Sequence, residues 1–260
     1  MTAAASAIAP SPDWRLAVVL VALVGVGVVA SRVGRLGVER ETVTASARAI
    51  VQLAIVSLVI AAVLGSLWWS LLFSLLMLAV ATRTSARRID ARGREALWVG
   101  VAILAGVLPV LVLILGSGVI PFNGPGLVPT AGIIIGNTMT AATLTGRRAY
   151  DELSSQIGAY EAGLALGLVS KDAATEVIQP TAKEALTPNL DKTRTVGLVT
   201  LPGAFVGVLL GGGTPLEAGA AQVLVLVGIV AAQAVTSAAL LRLVADAKVV
   251  REDMRERYPR

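Results

Sequence analysis

AIVQLAIVSLVIAAVLGSLWWSLLFSLLMLAVAT, residues 49–82, is a run of 34 mostly apolar residues that only Gly65 and Ser66 interrupt. As one helix it would be about 51 Å long at 1.5 Å per residue, whereas the hydrocarbon core of a bilayer is about 30 Å thick. Two membrane helices joined by a tight turn at Gly65–Ser66 fit the bilayer, with Trp68 and Trp69 marking the outer interface. This stretch therefore predicts a helical hairpin within a membrane.

The rest of the chain repeats this pattern. Hydrophobic residues make up 55% of the chain, charged residues 15%, and the mean hydropathy is +0.79. The charges cluster between apolar runs long enough to cross a bilayer. We predict spans at 16–30, 49–65, 67–82, 96–115, 127–145, 196–210 and 218–241. The chain is thus predicted to be an all-α, polytopic membrane protein of about seven transmembrane helices, forming one domain over residues 1–260. The first helix, which lacks a basic region before it and a cleavage site after it, is expected to be retained.

The basic residues predict the orientation. With the N-terminus outside, segments 31–48, 83–95, 146–195 and 242–260 are inside and hold 4, 5, 6 and 6 Lys or Arg, which is 21 of 22. Only Arg15 is outside, so the positive-inside rule favours seven helices, a C-terminus inside and a multi-pass protein of the cell (inner or plasma) membrane. Cytoplasmic loops beside anionic lipid also explain the pI near 10.1 without nucleic acid.

Several kinds of chemistry lack their usual residues. The chain has no His and no Cys, so it offers no imidazole or thiolate ligand. It contains no GxxxxGK[ST] sequence to cradle ATP phosphates, and no predicted span has Asp or Glu near its centre. We expect no catalytic site, no metal site and no cofactor in this chain. The missing carboxylates also argue against a proton-coupled carrier.

Segment 146–195 is longer than packed membrane helices need as a connection, which points to function. Apolar residues recur at helical spacing within it, Ser170 is a plausible N-cap, and Pro180 ends a helical pattern. We predict a cytoplasmic helical hairpin between helices five and six, with one arm before Gly167 and one after Ser170.

The first arm of this hairpin and the residues after it resemble a known motif. The stretch from Glu161, EAGLALG and, nine residues on, VIQP, resembles the EAA loop of the membrane subunits of bacterial ABC importers, with Glu161, Ala162, Gly167 and Pro180 at the expected spacing. That resemblance implies a coupling helix that docks on an ATPase, with Ser170 opening its second arm. The alternative is an ordinary surface hairpin.

A broader resemblance covers nearly the whole chain. RAIVQL at 48–53, AGIIIGNTMTA at 131–141, LALG at 164–167 and ALTPNLDKTRTVGLVTLPG at 185–203 are similar to the FetB-type permease family of iron or metal exporters, which has plant aluminium-tolerance relatives. The resemblance implies an ABC transporter permease that forms a homodimer and binds two P-loop ATPase subunits, which hold the ATP and Mg. It implies export of an iron-like metal ion or a small solute.

Polar residues within the spans suggest a translocation pathway. Its candidates are Asn137, Thr138, Met139 and Thr140 on the fifth helix and Gln222 and Gln233 on the seventh. Small residues predict close packing at Gly132 and Gly136 and at Gly203 and Gly207, with a hinge at Pro202. The alternative for Asn137 and the glutamines is hydrogen bonding between helices.

Two other functions fit the same residues: a secondary carrier, or a membrane scaffold that recruits a soluble partner. Hard cations prefer oxygen ligands, commonly carboxylates, but the spans supply only amides, hydroxyls, carbonyls and Met sulfur. Either a metal passes transiently or as a chelate, or the substrate is an organic solute.

Overall fold

A computed structural model describes residues 13–250, and these residues form α-helices joined by short turns. The helices are α1 Trp14–Val33, α2 Glu39–Leu64, α3 Leu67–Arg88, α4 Arg94–Gly116, α5 Gly124–Ser155, α6 Ile157–Ala165, α7 Ser170–Ile178, α8 Thr181–Thr195, α9 Gly203–Leu210 and α10 Pro215–Ala245. Over the described residues the only β-type pairing is an isolated bridge between Val196 and Thr200. The segment before Asp13 and most of the predicted tail 242–260 lie outside the described residues.

Six helices, α1 to α5 and α10, are long and apolar enough to cross a membrane. The predicted all-α, polytopic class is therefore confirmed. The turn predicted at Gly65–Ser66 is also confirmed, because α2 ends at Leu64 and α3 begins at Leu67. The Ser70 hydroxyl closes this turn by donating to the carbonyl of Val63 at 2.7 Å.

Helix α5 is the centre of the bundle and packs against α3, α4 and α10. The Thr145 hydroxyl of α5 donates to the Ser237 hydroxyl of α10. Nearer to the start of both helices, the Gln233 side-chain amide of α10 donates to the Asn137 carbonyl of α5. Helices α5 and α10 therefore run parallel. Helix α4 runs antiparallel to both. Helices α1 and α2 lie at the edge, where their side chains are almost all exposed and suit contact with lipid.

The two ends of the bundle differ in charge. At one end, Arg147 donates to the carbonyl of Arg88, and Lys171 pairs with Asp246 at 2.8 Å. This arginine-rich end gathers the α3–α4 loop, the α6–α7 hairpin and the end of α10. At the opposite end, Gly124 lies against the backbone of Leu64. The shared location of the basic segments agrees with the positive-inside pattern, while the side of the membrane that they face stays a prediction.

The predicted span at 196–210 differs from the structure. Only Gly203–Leu210 is helical there, about 12 Å of helix, which is too short to cross the bilayer. Gly197 has a φ of +85°, and Pro202 lacks the N–H that a continuing helix needs, so the chain unwinds between them. Over the described residues, six long helices and one interrupted segment, residues 181–210, therefore stand where seven continuous spans were predicted.

The interrupted segment begins at Thr181, before the predicted span. Because α5 and α10 are parallel, the chain must return from the arginine-rich end to Pro215 between them. Helix α8 makes the first part of this return, with Ala182 and Leu186 lining a cleft of about 360 Å³ together with Ala234 and Ser237 of α10. The turn at 196–202 and helix α9 complete the return. The predicted cytoplasmic segment 146–195 thus divides into the end of α5, the α6–α7 hairpin and this ascending helix.

Candidate functional site

The α6–α7 hairpin has the form predicted from the sequence. Gly167 joins its arms with a φ of +94°, a conformation that L side chains rarely adopt. The Gly167 amide donates to Leu164 and the Leu168 amide to Gly163, which closes α6 with the bond pattern of a glycine C-cap. Gly167 therefore sets the angle at which the two arms meet.

One face of the hairpin is anchored to the membrane bundle. Tyr160 is 2% exposed, and its hydroxyl lies 2.8 Å from the Ser170 hydroxyl, which ties α6 to α7. Helix α7 packs on α5 and α10 through four buried apolar side chains, those of Ala173, Ala174, Val177 and Ile178. Ser170 is not the N-cap that the sequence suggested, because α7 already begins at Ser170 and Val169 precedes it as the cap.

An ion pair adds to this anchor. The Lys171 ammonium bonds the Asp246 carboxylate, and this hydrogen bond holds the pKa of Asp246 below its usual value. Burial acts in the opposite direction, and Lys248 assists the lowering from 3.7 Å. The ion pair connects the hairpin to the residue that follows the last turn of α10.

The opposite face and the tip of the hairpin are exposed and partly apolar. Leu166 is 86% exposed and Val169 is 62% exposed, on either side of Gly167. Four of the five predicted coupling residues share this exposure: Glu161, Ala162, Gly167 and Pro180. A protruding apolar tip at a charged end of the molecule is the kind of surface that binds a soluble protein.

The predicted pathway residues of α5 divide between two environments. Thr140 and Gly136 are exposed, Asn137 and Met139 are half-buried, and Thr138 is fully buried. The Asn137 amide donates to the Ile133 carbonyl of its own helix, and the Thr138 hydroxyl to the Ile134 carbonyl. A polar, narrow strip of α5 therefore remains open on one side of the bundle.

The two glutamines of α10 lie inside the bundle. Gln233 is 1% exposed and makes the contact with α5 described above, as expected for a hydrogen bond between helices. Gln222 is also buried, and within residues 13–250 its Oε1 has no hydrogen-bond partner. In this single chain both side chains are buried, and Gln233 contacts Asn137 of α5 from inside the bundle.

The predicted packing glycines also divide. A Cβ at Gly132 would lie 3.5 Å from the Met77 sulfur, so this glycine packs α5 on α3. Gly136 of α5 and Gly203 and Gly207 of α9 face open space, with no atom within 4 Å of a Cβ. Pro202 directly precedes α9 as its N-cap, at the end of the unwound turn.

The interrupted segment 181–210 was not predicted from the sequence. On α8 the residues at every fourth position, Thr181, Ala185 and Asn189, are buried, whereas the charged residues are exposed. Glu184 pairs with Arg148 of α5 at 3.5 Å, and Asp191 pairs with Arg194 at 3.1 Å. Asp191 is seven residues beyond Glu184, so it lies about 10 Å further from the arginine-rich end.

Helix α8 has the sequence TAKEALTPNLDKTRT, whose composition is typical of helices in soluble proteins. Its hydropathy therefore did not indicate a membrane helix. The four-residue spacing of its small and polar residues, followed by Gly197 and Pro202, is the signal that could have revealed a half-helix. Irregular backbone at membrane depth is tolerated only where protein covers it or water reaches it. At membrane depth, the charged face of α8 and the turn after it would therefore require a protein interface or an aqueous cavity beside them.

The metal-ligating side chains of the described residues do not gather at one point. Over residues 13–250 no three Asp or Glu side chains lie close enough together to hold a metal ion.

The long apolar helices, packed through buried hydroxyl and amide contacts, define a multi-pass α-helical membrane protein. The chain belongs to the family described as "Uncharacterised protein family (UPF0014)", which matches residues 14–248. This membership agrees with the family resemblance stated from the sequence.

Named relatives include plant and bacterial proteins. The chain is 35% identical to the "UPF0014 membrane protein STAR2" of Oryza sativa subsp. japonica, over 83% of this chain and 76% of the relative. It is 32% identical to the "Protein ALUMINUM SENSITIVE 3" of Arabidopsis thaliana, over 87% and 82%. It is 30% identical to the "Probable iron export permease protein FetB" of Escherichia coli (strain K12), over 78% and 79%. No solved structure matches the chain.

Proposed function

We propose that this chain is the permease subunit of an ATP-driven transporter, which works as a homodimer with two copies of a separate P-loop ATPase. The partner binds the ATP and Mg, and this chain supplies the membrane route. The observation that carries the proposal is the α6–α7 hairpin, whose apolar tip is exposed while its other face is buried on α5 and α10.

This arrangement suits the transmission of force. A coupling element must bind the partner's two states with different free energies. The exposed tip around Leu166 provides the binding surface, Tyr160 ties the two arms together, and α7 with Lys171 connects them to α5 and α10. A movement of the tip is therefore passed to α5, which carries the polar strip at Asn137 and Thr140.

The name of one relative and the side chains along α5 and α8 support the proposed class of substrate. One bacterial relative is named as a probable iron export permease, which favours export of an iron-like cation. Carbonyls, hydroxyls and Asp191 offer hard oxygen ligands along α5 and α8, but only singly, so the cation passes with retained water or as a chelate. A small polar solute fits the same lining.

The homodimer is supported by surfaces that this single chain leaves uncovered. Gly136, Gly203 and Gly207 leave room for a close neighbour, and the turn at 196–202 exposes Leu198 at 92%. Because lipid does not satisfy irregular backbone, a second copy and the water between the copies are the cover that this turn requires.

Reconstitution of the chain with an ATPase encoded beside its gene tests the proposal. We expect transport into proteoliposomes that requires ATP and continues when ion gradients are collapsed. Transport driven by an ion gradient without ATP would favour a secondary carrier, and binding of the ATPase with no transport of metal ions or small solutes would favour a scaffold.

Substitution at Gly167 tests the role of the hairpin in the same assay. Gly167→Ala forces a Cβ into a left-handed conformation at a cost of about 1 kcal/mol or more and should change the angle of the tip. We expect at least a tenfold loss of transport while ATP hydrolysis continues. Gly158→Ala is the matched control, because Gly158 lies in the same hairpin with open space and no positive φ. Equal transport by both variants would remove the hairpin from the mechanism.

A further inference from the structure

A groove lies between α3 and α4 in the described part of the chain. It encloses about 1000 Å³ and opens on the surface of the bundle. Its floor is made of small residues, and a Cβ at Gly100 would lie 2.9 Å from the Thr82 methyl, so the two helices nearly touch there. The side chains on either side of this contact form the walls.

The groove is apolar along most of its length and basic at one end. Leu75, Leu78, Leu97, Val101 and Leu104 line the apolar part. Arg83, Arg87 and Arg92 line the part at the arginine-rich end, and among the described residues that line the groove no carboxylate is present. Arg83 and Arg87 form no ion pair within residues 13–250. Over the described residues, Arg83 and Arg87 thus offer cationic groups to the groove without a carboxylate in its lining to neutralise them.

The dimensions match one leaflet of a bilayer. Arg87 and Leu75 are twelve residues apart on α3, a distance of about 18 Å along the helix, and half of a 30 Å hydrocarbon core is about 15 Å. The arginines therefore lie at the depth of lipid headgroups while the leucines reach toward the midplane. Guanidinium groups bind phosphate oxygens in paired hydrogen bonds, and basic pockets between membrane helices suit anionic headgroups.

We propose that the α3–α4 groove is a binding site for one anionic phospholipid of the leaflet at the arginine-rich end. The phosphate and its anionic headgroup bind Arg83, Arg87 and Arg92, and an acyl chain lies against Leu75, Leu97 and Leu104. The site is separate from the α6–α7 hairpin and from the polar strip of α5, so it stands independently of the proposed transport.

Native mass spectrometry of the purified full chain with equal amounts of phosphatidylglycerol and phosphatidylcholine tests the headgroup. We expect a preference for phosphatidylglycerol that falls at least tenfold in the triple variant Arg83→Gln, Arg87→Gln, Arg92→Gln, because each interfacial arginine contributes roughly a fivefold factor. The control variant Arg32→Gln, Arg40→Gln, Arg48→Gln removes the same charge from exposed positions at the α1–α2 connection. An equal fall in both triple variants would show only general attraction to a basic surface and would overturn the site.

A second pair of variants tests the acyl part of the groove. Ala79 lines the groove and is exposed, so Ala79→Trp fills the space without disturbing the floor. We expect it to reduce retained lipid severalfold, whereas Ala54→Trp on the exposed surface of α2 leaves retention unchanged. Equal retention by these two variants would overturn the proposal. Efficient self-crosslinking of Ala79→Cys in membranes would also overturn it, because a second copy would then occupy the groove.

Discussion

Gly106 lies where α4 and α10 come closest. A Cβ at this position would lie 2.1 Å from the Thr236 hydroxyl and 2.3 Å from the Ala232 carbonyl, so no side chain fits unless the helices separate. We expect Gly106→Ala to lower the stability by about 1–3 kcal/mol, the usual cost of overpacking. Gly116→Ala, at the open end of the same helix, is the control. Thermal unfolding in detergent measures both variants, and an equal melting temperature for the two would contradict this close contact.

Lys171 and Asp246 allow a test of the hairpin anchor by pH. The pKa of Asp246 is lowered in the folded state, so the pair contributes stability above the unfolded value of 3.8 and loses it as the pH falls through the folded value. The pair is partly exposed, so Lys171→Ala should cost about 0.2–1 kcal/mol between pH 7 and 5. This difference from the wild type should disappear in more acidic solution. Lys183→Ala is the control, and a cost for Lys171→Ala that does not depend on pH would contradict the ion pair.

Among the single helices, α5 has an exposed polar strip at Thr140 and, beside it, buried polar side chains such as Thr138. Thr140 is exposed whereas Thr138 is fully buried, although the two lie on the same helix. Because the chain has no cysteine, single cysteines can be introduced without background. We expect Thr140→Cys to react with a charged, membrane-impermeant thiol reagent at least tenfold faster than Thr138→Cys. Equal rates would exclude this strip from an aqueous pathway.

The long elements could be predicted because their signal is length and hydropathy. The turn at Gly65–Ser66 and the glycine between the hairpin arms followed from local residue preferences, and both are confirmed. Helix α8 could not be found in this way, because a half-helix that faces protein or water at membrane depth has the composition of a soluble helix. Hydropathy instead placed the span at 196–210, where an exposed turn carries Leu198 and Leu201.

The candidate site was predictable where it depends on local chain geometry. Exposure of Glu161 and Pro180 follows from their positions on a surface hairpin. The buried positions of Thr138, Gln222 and Gln233 depend on which helix faces which, and a single sequence does not encode that pairing in any local pattern. Their predicted part in a pathway stays a prediction, as does the metal or solute that the pathway carries.

For the whole molecule, the proposed function depends on two properties of the arginine-rich end. The end that gathers Arg88, Arg147 and Asp246 must face the cytoplasm, and the hairpin at that end must meet the ATPase. Its apolar tip is exposed in the single chain, and a partner that covers it would bury Leu166. A lipid in the α3–α4 groove would hold the same end at the headgroup level.

Labelling of Leu166→Cys with a membrane-impermeant maleimide tests this central claim most directly. We expect no labelling in intact cells, strong labelling in inverted membrane vesicles, and protection in the vesicles when the ATPase is present. Labelling of this cysteine from outside intact cells would contradict the account, because the hairpin would then lie on the side of the membrane where no ATPase can reach it.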